Sequence, residues 1–353
     1  MSIPNRYPIN GTFELTLRCN LHCKMCLFRH ADSENAAMMA QEMTCAEWVD
    51  MAKQAAQNGT VNLLLTGGEP MLRQDFTEVY AGIYRQGFLL TLYTNATLVT
   101  DEVMETLRKM PPHRIGVTLY GASNADYAAV CGCADGFDRA LAGIERLRTL
   151  PSVVDVRMTL IHDTADQADK IDQIVFERFG MHPILTSTVL GSVRGGCMRP
   201  QDCRMTPQES VNLTYGRVLE RIRQQVPAEL MDKIHIRMAD VCTDSGEPRY
   251  SLLGCSAGMD NYTITWDGKL LGCQLLGNFY TDARRDGFAA AWEAYPVTVR
   301  LPDSPCQRCE YIGKCRTCPA VAMAETGRMD GVPQYVCEVT KLTEEMKAKC
   351  NLL

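Results

Sequence analysis

The sequence predicts an α/β protein built on an open, curled barrel of six parallel strands, followed by a smaller cysteine-rich part. Over the first two thirds of the chain, six short apolar segments alternate with helical patterns, which is typical of a parallel sheet covered by helices. Seven of the 17 cysteines then fall between residues 255 and 337, where long helices are scarce. Six strand–helix units are too few to close an eight-stranded barrel, so we expect a partial one.

The predicted strands are short apolar runs at 13–17, 61–66, 89–94, 115–120, 153–161 and 184–189. Thr44 and Glu47 form a capping box before the first helix, and Asp75 and Thr100 open the next two. Later helices are expected at 137–150, around 171–175 and near 207–225. Ligands of such sheets bind at the carboxyl ends of the strands, so we expect the loop after the first strand to lie at the site.

We place a domain boundary near residue 235, which gives a catalytic domain at 1–234 and a cysteine-rich domain at 235–353. The second part has few long helices and buries little apolar surface, so bound metal is expected to stabilise it. A hairpin turn is expected there at Asp267-Gly268.

Composition and charge limit the partners and the compartment. The chain has 353 residues and a formal net charge of −6, which argues against a nucleic-acid binder. It contains neither an apolar run of about eighteen residues nor a signal peptide, so we expect a cytoplasmic protein without a membrane partner. In that compartment cysteines are more typical of metal or cluster ligands than of disulfides.

Three cysteines, Cys19, Cys23 and Cys26, follow the first strand with the spacing C-x3-C-x2-C. Three thiols cannot all pair in disulfides, and a structural zinc site usually needs four ligands. Thiolates suit iron–sulfur clusters, and a cube of four irons on three cysteines leaves one iron open to a small molecule.

The segment TGGEP at 66–70 closes the second strand at the same edge of the sheet. Its two glycines allow close backbone approach, and Glu69 offers a carboxylate to a cationic amine. By itself the segment could be a simple strand-to-helix turn. Beside the cysteine triplet, binding of a small molecule is favoured.

These two motifs resemble those of the radical S-adenosylmethionine (radical SAM) superfamily, over roughly residues 11–200. The resemblance implies a partial (β/α)6 barrel and an iron–sulfur cluster on the three cysteines. It also implies that SAM binds the open iron and is cleaved reductively to a deoxyadenosyl radical, which abstracts hydrogen from a substrate.

Carried over residue by residue, the SAM contacts implied by the resemblance are Met25, Gly67, Gly68, Glu69, Pro70, Thr118, Arg157, Val189 and Leu190. Glu69 and its neighbours would hold the methionine amino group, Thr118 would lie near the ribose and Arg157 near the carboxylate. Val189 and Leu190 would flank the adenine. Met25 departs from the family, which usually has an aromatic residue there, and methionine keeps an apolar contact without stacking.

The later cysteines resemble the SPASM extension of radical SAM enzymes that modify peptides and proteins. One departure is the spacer before Cys318, where x2 replaces x3. The resemblance implies two auxiliary clusters, one on Cys255, Cys273 and Cys318 and the other on Cys306, Cys309, Cys315 and Cys337. The fourth ligand of the first could be Cys242, another residue or a substrate group.

A zinc ribbon is the alternative for this region. The pairs 306/309 and 315/318 have the C-x2-C form, but they stand only five residues apart, which is short for zinc knuckles.

Nothing in the sequence selects a catalytic acid or base. The candidates near the expected open face are Tyr120, Asp126, Cys131, Cys133, Cys197 and Cys203. Cys45 is expected to be a buried structural thiol, and His22 and His30 to be packing or solvent contacts.

The resemblance implies three 4Fe–4S clusters, SAM and a reductant such as flavodoxin or ferredoxin. The predicted function is a peptide maturase that forms a crosslink, thioether or carbon-linked, in a ribosomally made precursor peptide, with the auxiliary clusters accepting an electron. Because only about ten residues precede the first strand, another protein or the catalytic domain itself is expected to recognise that peptide. Alternatives are formylglycine formation on a protein Cys or Ser, modification of a small molecule such as a sugar or tetrapyrrole, and an electron carrier without catalysis. An electron carrier does not need a site that binds an amine, such as the one expected at TGGEP.

Overall fold

The computed structural model describes residues 6–191, 194, 199–217, 220, 255–296, 304–312, 314–315 and 317–349. The predicted boundary near 235, Cys197, Cys242 and Cys350 lie outside these ranges.

The strands are β1 Asn10–Glu14, β2 Asn62–Thr66, β3 Leu89–Thr94, β4 Arg114–Thr118, β5 Val153–Thr159, β6 Ile184–Thr186, β7 Asn261–Ile264, β8 Lys269–Leu271 and β9 Tyr280–Asp282. The α-helices of the described residues are α1 Asn35–Gln41, α2 Cys45–Gln57, α3 Phe76–Tyr84, α4 Asp101–Lys109, α5 Asn124–Cys131, α6 Gly136–Leu147, α7 Ala168–Phe179, α8 Pro207–Val211, α9 Ala283–Asp286, α10 Phe288–Ala294, α11 Pro319–Thr326 and α12 Gln334–Lys349. A π-helical turn at Asn212–Gly216 continues α8.

Strands β1 to β6 pair in chain order, and every pair is parallel. The predicted α/β class with a six-stranded parallel unit is therefore confirmed. Alternate strand residues pack under the helices, as Phe13 does against Trp48 with ring centroids 5.1 Å apart. The opposite face carries polar side chains such as Thr118 and Arg157, which are only partly buried. This alternation leaves a polar inner face on the curled sheet.

The predicted helix starts are confirmed. Thr44 accepts a hydrogen bond from the Glu47 amide at 3.3 Å, and the Glu47 carboxylate accepts one from the Thr44 amide at 2.7 Å. Thr100 accepts one from Val103 at 3.3 Å, and Asp75 directly precedes α3. The side chains of Thr44 and Thr100 thus satisfy backbone donors that the first helical turn leaves without partners, whereas the Asp75 side chain makes no cap hydrogen bond.

Several strand ends differ from the prediction. Strands β4 and β5 end at Thr118 and Thr159, two residues earlier than predicted, and β1 and β6 differ more. Strand β1 spans 10–14 rather than 13–17, because beyond Leu15 the chain bonds to the GGEP segment instead of continuing a regular ladder. Strand β6 ends at Thr186 rather than at 189, and the next residue, Ser187, turns its buried hydroxyl to Ser210 at 2.7 Å.

The predicted hairpin at Asp267-Gly268 is present, and Gly268 has the positive φ of 88° that the tight turn requires. The sequence did not predict where this hairpin lies. Strand β7 pairs in parallel with β1, with Asn10 opposite Asn261, so β7, β8 and β9 extend the barrel sheet to nine strands. Cys273, which follows β8, is thereby held against the barrel. No helix of the described residues is long and apolar enough to cross a membrane.

Candidate active site

The loop of Cys19, Cys23 and Cys26 lies after the carboxyl end of β1 and is fixed to the end of α5. The amide of His22 donates to the Cys131 carbonyl at 2.7 Å, and that of Lys24 donates to the Val130 carbonyl at 3.0 Å. These are carbonyls of the last turn of α5, which the helix itself leaves without donors. The cluster loop therefore supplies their partners and is held rigidly on both sides of Cys23.

The three thiols are buried enough to disfavour their ionised form in the protein alone. Burial raises the pKa of Cys26 to about 11 and raises the pKa of Cys19 further. The pKa of Cys23 is raised by a hydrogen bond with Cys131 and by burial. Bound iron would reverse this preference, because a metal stabilises the thiolate directly. This donor set fits an iron–sulfur cluster held by Cys19, Cys23 and Cys26.

The GGEP segment packs directly on the chain that leads into the cluster loop. Gly68 donates to the Thr16 carbonyl at 2.7 Å, and Glu69 donates to the Arg18 carbonyl at 2.9 Å. A Cβ atom at Gly67 would lie 2.0 Å from the Thr16 oxygen, and one at Gly68 would lie 2.3 Å from the Arg18 oxygen. Gly67 also has a φ of 143°, which side-chain-bearing residues rarely adopt. Both glycines are required by this close approach.

We predict that Gly67→Ala destabilises the protein by about 3 kcal/mol or more and reduces iron loading, because strain and a backbone clash act together next to the cluster loop. Gly87→Ala is the matched control, since Gly87 has a φ of 88° but no atom near an added Cβ. It should cost only about 1–2 kcal/mol. Denaturant unfolding and iron content check both variants. Equal losses in the two would contradict the role assigned to the close approach.

Glu69 is fully buried in the turn that follows β2, and its carboxylate is bound by residues of that turn and of the end of β3. It accepts hydrogen bonds from the Thr94 hydroxyl at 2.8 Å, the Asn95 amide at 2.7 Å and the Met71 amide at 3.1 Å. Burial nevertheless raises the pKa of Glu69 to about 7. A cation that binds beside this carboxylate would stabilise its charge.

Asn95 joins this carboxylate to the cluster loop, and sequence reasoning missed it. Its side-chain nitrogen lies 3.0 Å from the Asn20 side-chain oxygen and 3.8 Å from the Cys19 sulfur. The available signal was its position directly after a predicted strand, in the polar run that follows Thr94.

The inner face of the sheet continues the site across β3, β4 and β5. The Arg157 guanidinium lies 4.9 Å from the ring centroid of Tyr93, and a Cβ at Gly116 would come within 2.6 Å of that ring. The Nε atom of Arg157 is buried and has no hydrogen-bond partner among the described residues. Thr118 ends β4 on the same face. A donor thus remains available for a ligand carboxylate, as the predicted role of Arg157 requires.

The remaining predicted SAM contacts lie in the segments that follow β1, β2 and β6. Met25 and Pro70 are buried, and Pro70 starts a single 3₁₀ turn to Leu72. Val189 is buried and Leu190 partly buried, and both lie beyond the end of β6. Their contacts with SAM stay predictions.

The C-terminal cysteines fall into two groups. Cys273 lies close enough to Cys255 and Cys318 for charge on these two to add to burial in raising its pKa. Burial likewise raises the pKa of Cys337, with further contributions from Cys315, Cys306 and Cys309. A cavity of about 580 Å³ is lined by this second group and by Cys318. Cys318 therefore stands between the two groups, and its sulfur caps α11 by accepting from the Val321 amide at 3.5 Å.

Cys273 also lines a second cavity, of about 510 Å³, together with barrel residues such as Thr12, Asn62, Thr91 and Thr263. One cysteine group thus borders the barrel. Among the described residues, no three His, Cys, Asp or Glu side chains converge as a single-ion site would require. A cube binds each thiolate at a different iron, so the wider spacing of these groups is compatible with clusters.

Comparison with known proteins decides the family. Residues 13–174 match the model of the Radical SAM superfamily. This chain is a radical SAM enzyme. The match covers the end of β1, the cluster loop, GGEP and the strands from β2 through β5, and it implies a 4Fe–4S cluster and SAM as cofactors.

Two curated relatives of this radical SAM enzyme come from Methanosarcina barkeri (strain Fusaro / DSM 804). The chain is 26% identical over 341 residues to an AdoMet-dependent heme synthase, covering 89% of this chain and 92% of the relative. It is 22% identical over 334 residues to an Fe-coproporphyrin III synthase, covering 86% and 81%. Its fold is similar to that of Streptococcus suis SuiB bound to S-adenosylmethionine, with a TM-score of 0.69, 16% identity, and coverage of 94% of this chain and 77% of SuiB.

Two of the candidate acid–base residues, Tyr120 and Cys131, lie directly beside the radical SAM cysteines, because both side chains hydrogen-bond with Cys23. Burial raises the pKa of Tyr120. Burial opposes ionisation of Asp126, but hydrogen bonds from Ser123 at 2.7 Å and Gln167 at 2.8 Å outweigh it and lower the pKa of Asp126. Asp126 is therefore engaged in starting α5.

The candidate cysteines of this radical SAM enzyme differ in surroundings. Cys131 is fully buried beside Cys23, whereas Cys133 is partly exposed with its sulfur 3.3 Å from Asp135. The carbonyl of Cys203 accepts from the His162 amide at 2.9 Å. None of the described cysteines is in a disulfide.

A buried ionic network behind the cluster loop was also missed by sequence reasoning. Glu42 accepts two hydrogen bonds from Arg18, at 2.8 and 3.0 Å, and one from Arg73 at 3.3 Å. Glu14, at the end of β1, is paired with Arg194 at 2.7 Å. These carboxylates are buried and each is matched by arginine, so they fix the residues that lead into Cys19.

Proposed function

We propose that this radical SAM enzyme is a SPASM-type maturase that forms a thioether or carbon-linked crosslink in a ribosomally made peptide. The observation that carries this proposal is the grouping of the C-terminal cysteines, with Cys273 lining a cavity shared with the barrel. Residues 1–234 would form the catalytic domain and 235–353 the domain that holds two auxiliary clusters.

Each part of the site has a distinct role in this proposal. Cys19, Cys23 and Cys26 hold the cluster that, with bound SAM, supplies a deoxyadenosyl radical able to abstract hydrogen from a substrate carbon. Glu69 orients the methionine amino group from its buried position, and Arg157 donates to the SAM carboxylate.

Closing a new bond after hydrogen abstraction requires the substrate to lose one further electron and a proton. The group formed by Cys255, Cys273 and Cys318 would be the electron acceptor, and its member Cys273 lines a cavity together with residues of the barrel. The group of Cys306, Cys309, Cys315 and Cys337 would hold the second auxiliary cluster, and Cys309 is exposed where a flavodoxin or ferredoxin could exchange electrons. The overall change is the loss of two hydrogens per crosslink.

A peptide substrate is supported by a structural neighbour. SuiB has also been solved bound to its precursor peptide SuiA, and that comparison has a TM-score of 0.67 and 17% identity, with coverage of 94% of this chain and 76% of SuiB.

A tetrapyrrole substrate is the second candidate, and a different observation favours it. Both Methanosarcina barkeri relatives are named for tetrapyrrole products, and both align over more than four fifths of this chain.

The deciding experiment begins with the DNA that flanks the gene of this enzyme. A short open reading frame beside the gene is co-expressed with the enzyme without oxygen, and the peptide is weighed by mass spectrometry. A loss of two hydrogens per site, absent with Cys19→Ala, supports peptide maturation, and conversion of one Cys or Ser to an aldehyde would instead indicate formylglycine formation. If the peptide is unchanged but the enzyme alters an iron coproporphyrin, a tetrapyrrole-modifying function replaces peptide maturation as the proposed function.

The proposed role of Glu69 gives a pH prediction. Because burial raises the pKa of Glu69 to about 7, the carboxylate is mostly protonated at pH 6 and mostly ionised at pH 8. An ammonium group needs the ionised form, so SAM affinity should rise about tenfold between these pH values. Equilibrium dialysis of SAM against holoenzyme measures this. In Glu69→Gln, binding at pH 8 should be weaker and the pH dependence lost, and a tenfold rise persisting in that variant would assign the titration to another group.

A further inference from the structure

The Glu325 carboxylate binds two separate points of the segment that follows β6, at Gly191 and at Arg204. Glu325, near the end of α11, accepts a hydrogen bond from the Gly191 amide at 3.2 Å. It also accepts two from the Arg204 guanidinium, at 2.9 and 2.8 Å. The side chain of Glu325 is 7% exposed and that of Arg204 15%. Because this pair is largely desolvated, each partner depends on the other for its charge to remain there.

The packing around this carboxylate is close. A Cβ atom at Gly191 would lie 2.1 Å from the Ala324 carbonyl oxygen, so only glycine lets the chain approach α11 here. The guanidinium of Arg204 lies 3.7 Å from the ring centroid of Tyr335, whose hydroxyl donates to the Met205 carbonyl at 3.0 Å. Helices α11 and α12 thus hold both Gly191 and Arg204 in one arrangement.

Helix α11 has a cysteine, Cys318, as its N-cap. Cys318 caps α11, and it lies beside both C-terminal cysteine groups. At the other end of α11, Glu325 binds Gly191, which follows directly after Val189 and Leu190. One helix of eight residues therefore connects a proposed cluster ligand with the residues proposed to flank the adenine of SAM.

We infer that Glu325 is a positioning residue through which the C-terminal clusters and SAM binding are coupled. A cluster on Cys318 fixes the start of α11, and Glu325 at its end then holds Gly191, so that Val189 and Leu190 are placed for the adenine. The inference rests on the proposed function for the cluster at Cys318 and for the SAM contacts of Val189 and Leu190. Coupling between two sites is reciprocal, so bound SAM should also stabilise the C-terminal clusters.

The test compares SAM affinity in anaerobically reconstituted holoenzymes. Glu325→Met keeps the side-chain length but removes both acceptors, and we expect about tenfold weaker SAM binding, within the range typical of coupled sites. Glu325→Gln keeps one oxygen for the Gly191 amide and should be intermediate, which also serves if the methionine variant fails to fold. Asp330→Asn is the control, because Asp330 pairs with the exposed Arg328 on the turn after the same helix. It should bind SAM like the wild type.

Two further readouts separate positioning from general loss of structure. The SAM-induced change in the electron paramagnetic resonance signal of the reduced cluster should occur at higher SAM concentration in Glu325→Met but reach the same line shape. In the wild type, SAM should slow the removal of iron by a chelator, and this protection should be smaller in the variant.

The outcomes are distinct. If the wild type does not bind SAM, the proposed site itself is wrong. If the wild type binds SAM and the two Glu325 variants bind it equally well, with the control unchanged, the coupling through Glu325 is overturned while the proposed function stands.

Discussion

Cys26→Ala is expected to reduce the formation of deoxyadenosine from SAM to the background level, a loss on the order of a thousandfold or more. Cys26 is one of only three thiols in the loop after β1, and each is needed to hold a different iron. The loop cannot compensate by moving, because its amides on either side of Cys23 are bound to the last turn of α5. The measurement is anaerobic turnover with dithionite, followed by chromatography of the nucleoside products.

Cys45→Ala provides the matched control for this loss. Cys45 is a partly buried thiol at the start of α2, outside all three cysteine groups. It should lose neither iron nor activity. A Cys26→Ala enzyme that still produces deoxyadenosine at the wild-type rate would remove Cys26 from the cluster, and the other thiol beside the loop, Cys131, would then need to be tested as a ligand.

Much of the barrel could be predicted because its signals are local. Apolar runs of strand length, separated by capped helices, determine both the order and the parallel pairing of β1 to β6. The capping box of Thr44 and Glu47 marks one helix start within a single residue. The ends of β1 and β6 were less predictable, because they are set by hydrogen bonds to distant residues, such as that of Thr16 with Gly68.

The pairing of β7 with β1 could not be predicted from local pattern. Four residues of β7, Asn261–Ile264, carry no signal of which strand edge they will meet. The pairing covers the edge of the sheet that β1 would otherwise leave open. It has a functional consequence, since it brings Cys273 to the cavity that Thr12 also lines.

The motif residues of the site could be read from the sequence, whereas the residues that support them could not. Spacing alone identifies Cys19, Cys23 and Cys26, because one small loop must hold them together. Glu42 and Arg73, by contrast, meet only through tertiary folding, and a buried Glu has no sequence signature that separates it from an exposed one. The same holds for Asn95, whose role depends on its distance to Glu69.

The second large expected effect concerns the C-terminal cysteines. If they bind two clusters, Cys273→Ala and Cys309→Ala should each lower the iron content from about twelve to about eight per chain, because each removes a ligand of a different cluster. Cys309 is the exposed member of its group and Cys273 the member that borders the barrel. Iron and sulfide analysis, together with zinc analysis of the same samples, separates clusters from a zinc ribbon.

Product formation should respond differently from SAM cleavage in these variants. Because Cys19, Cys23 and Cys26 are unaltered, deoxyadenosine should still form in Cys273→Ala, at a rate within about tenfold of the wild type. The crosslinked peptide should be lost, since the substrate radical has no adjacent electron acceptor, and hydrogen return would leave the peptide mass unchanged. Cys318→Ala discriminates further, because Cys318 stands between the two groups and begins α11. Its loss should abolish product and also weaken SAM binding, whereas Cys309→Ala should leave SAM affinity unchanged. Full product formation by Cys273→Ala would show that no electron acceptor is needed at this cavity, and would exclude the crosslinking chemistry proposed for it.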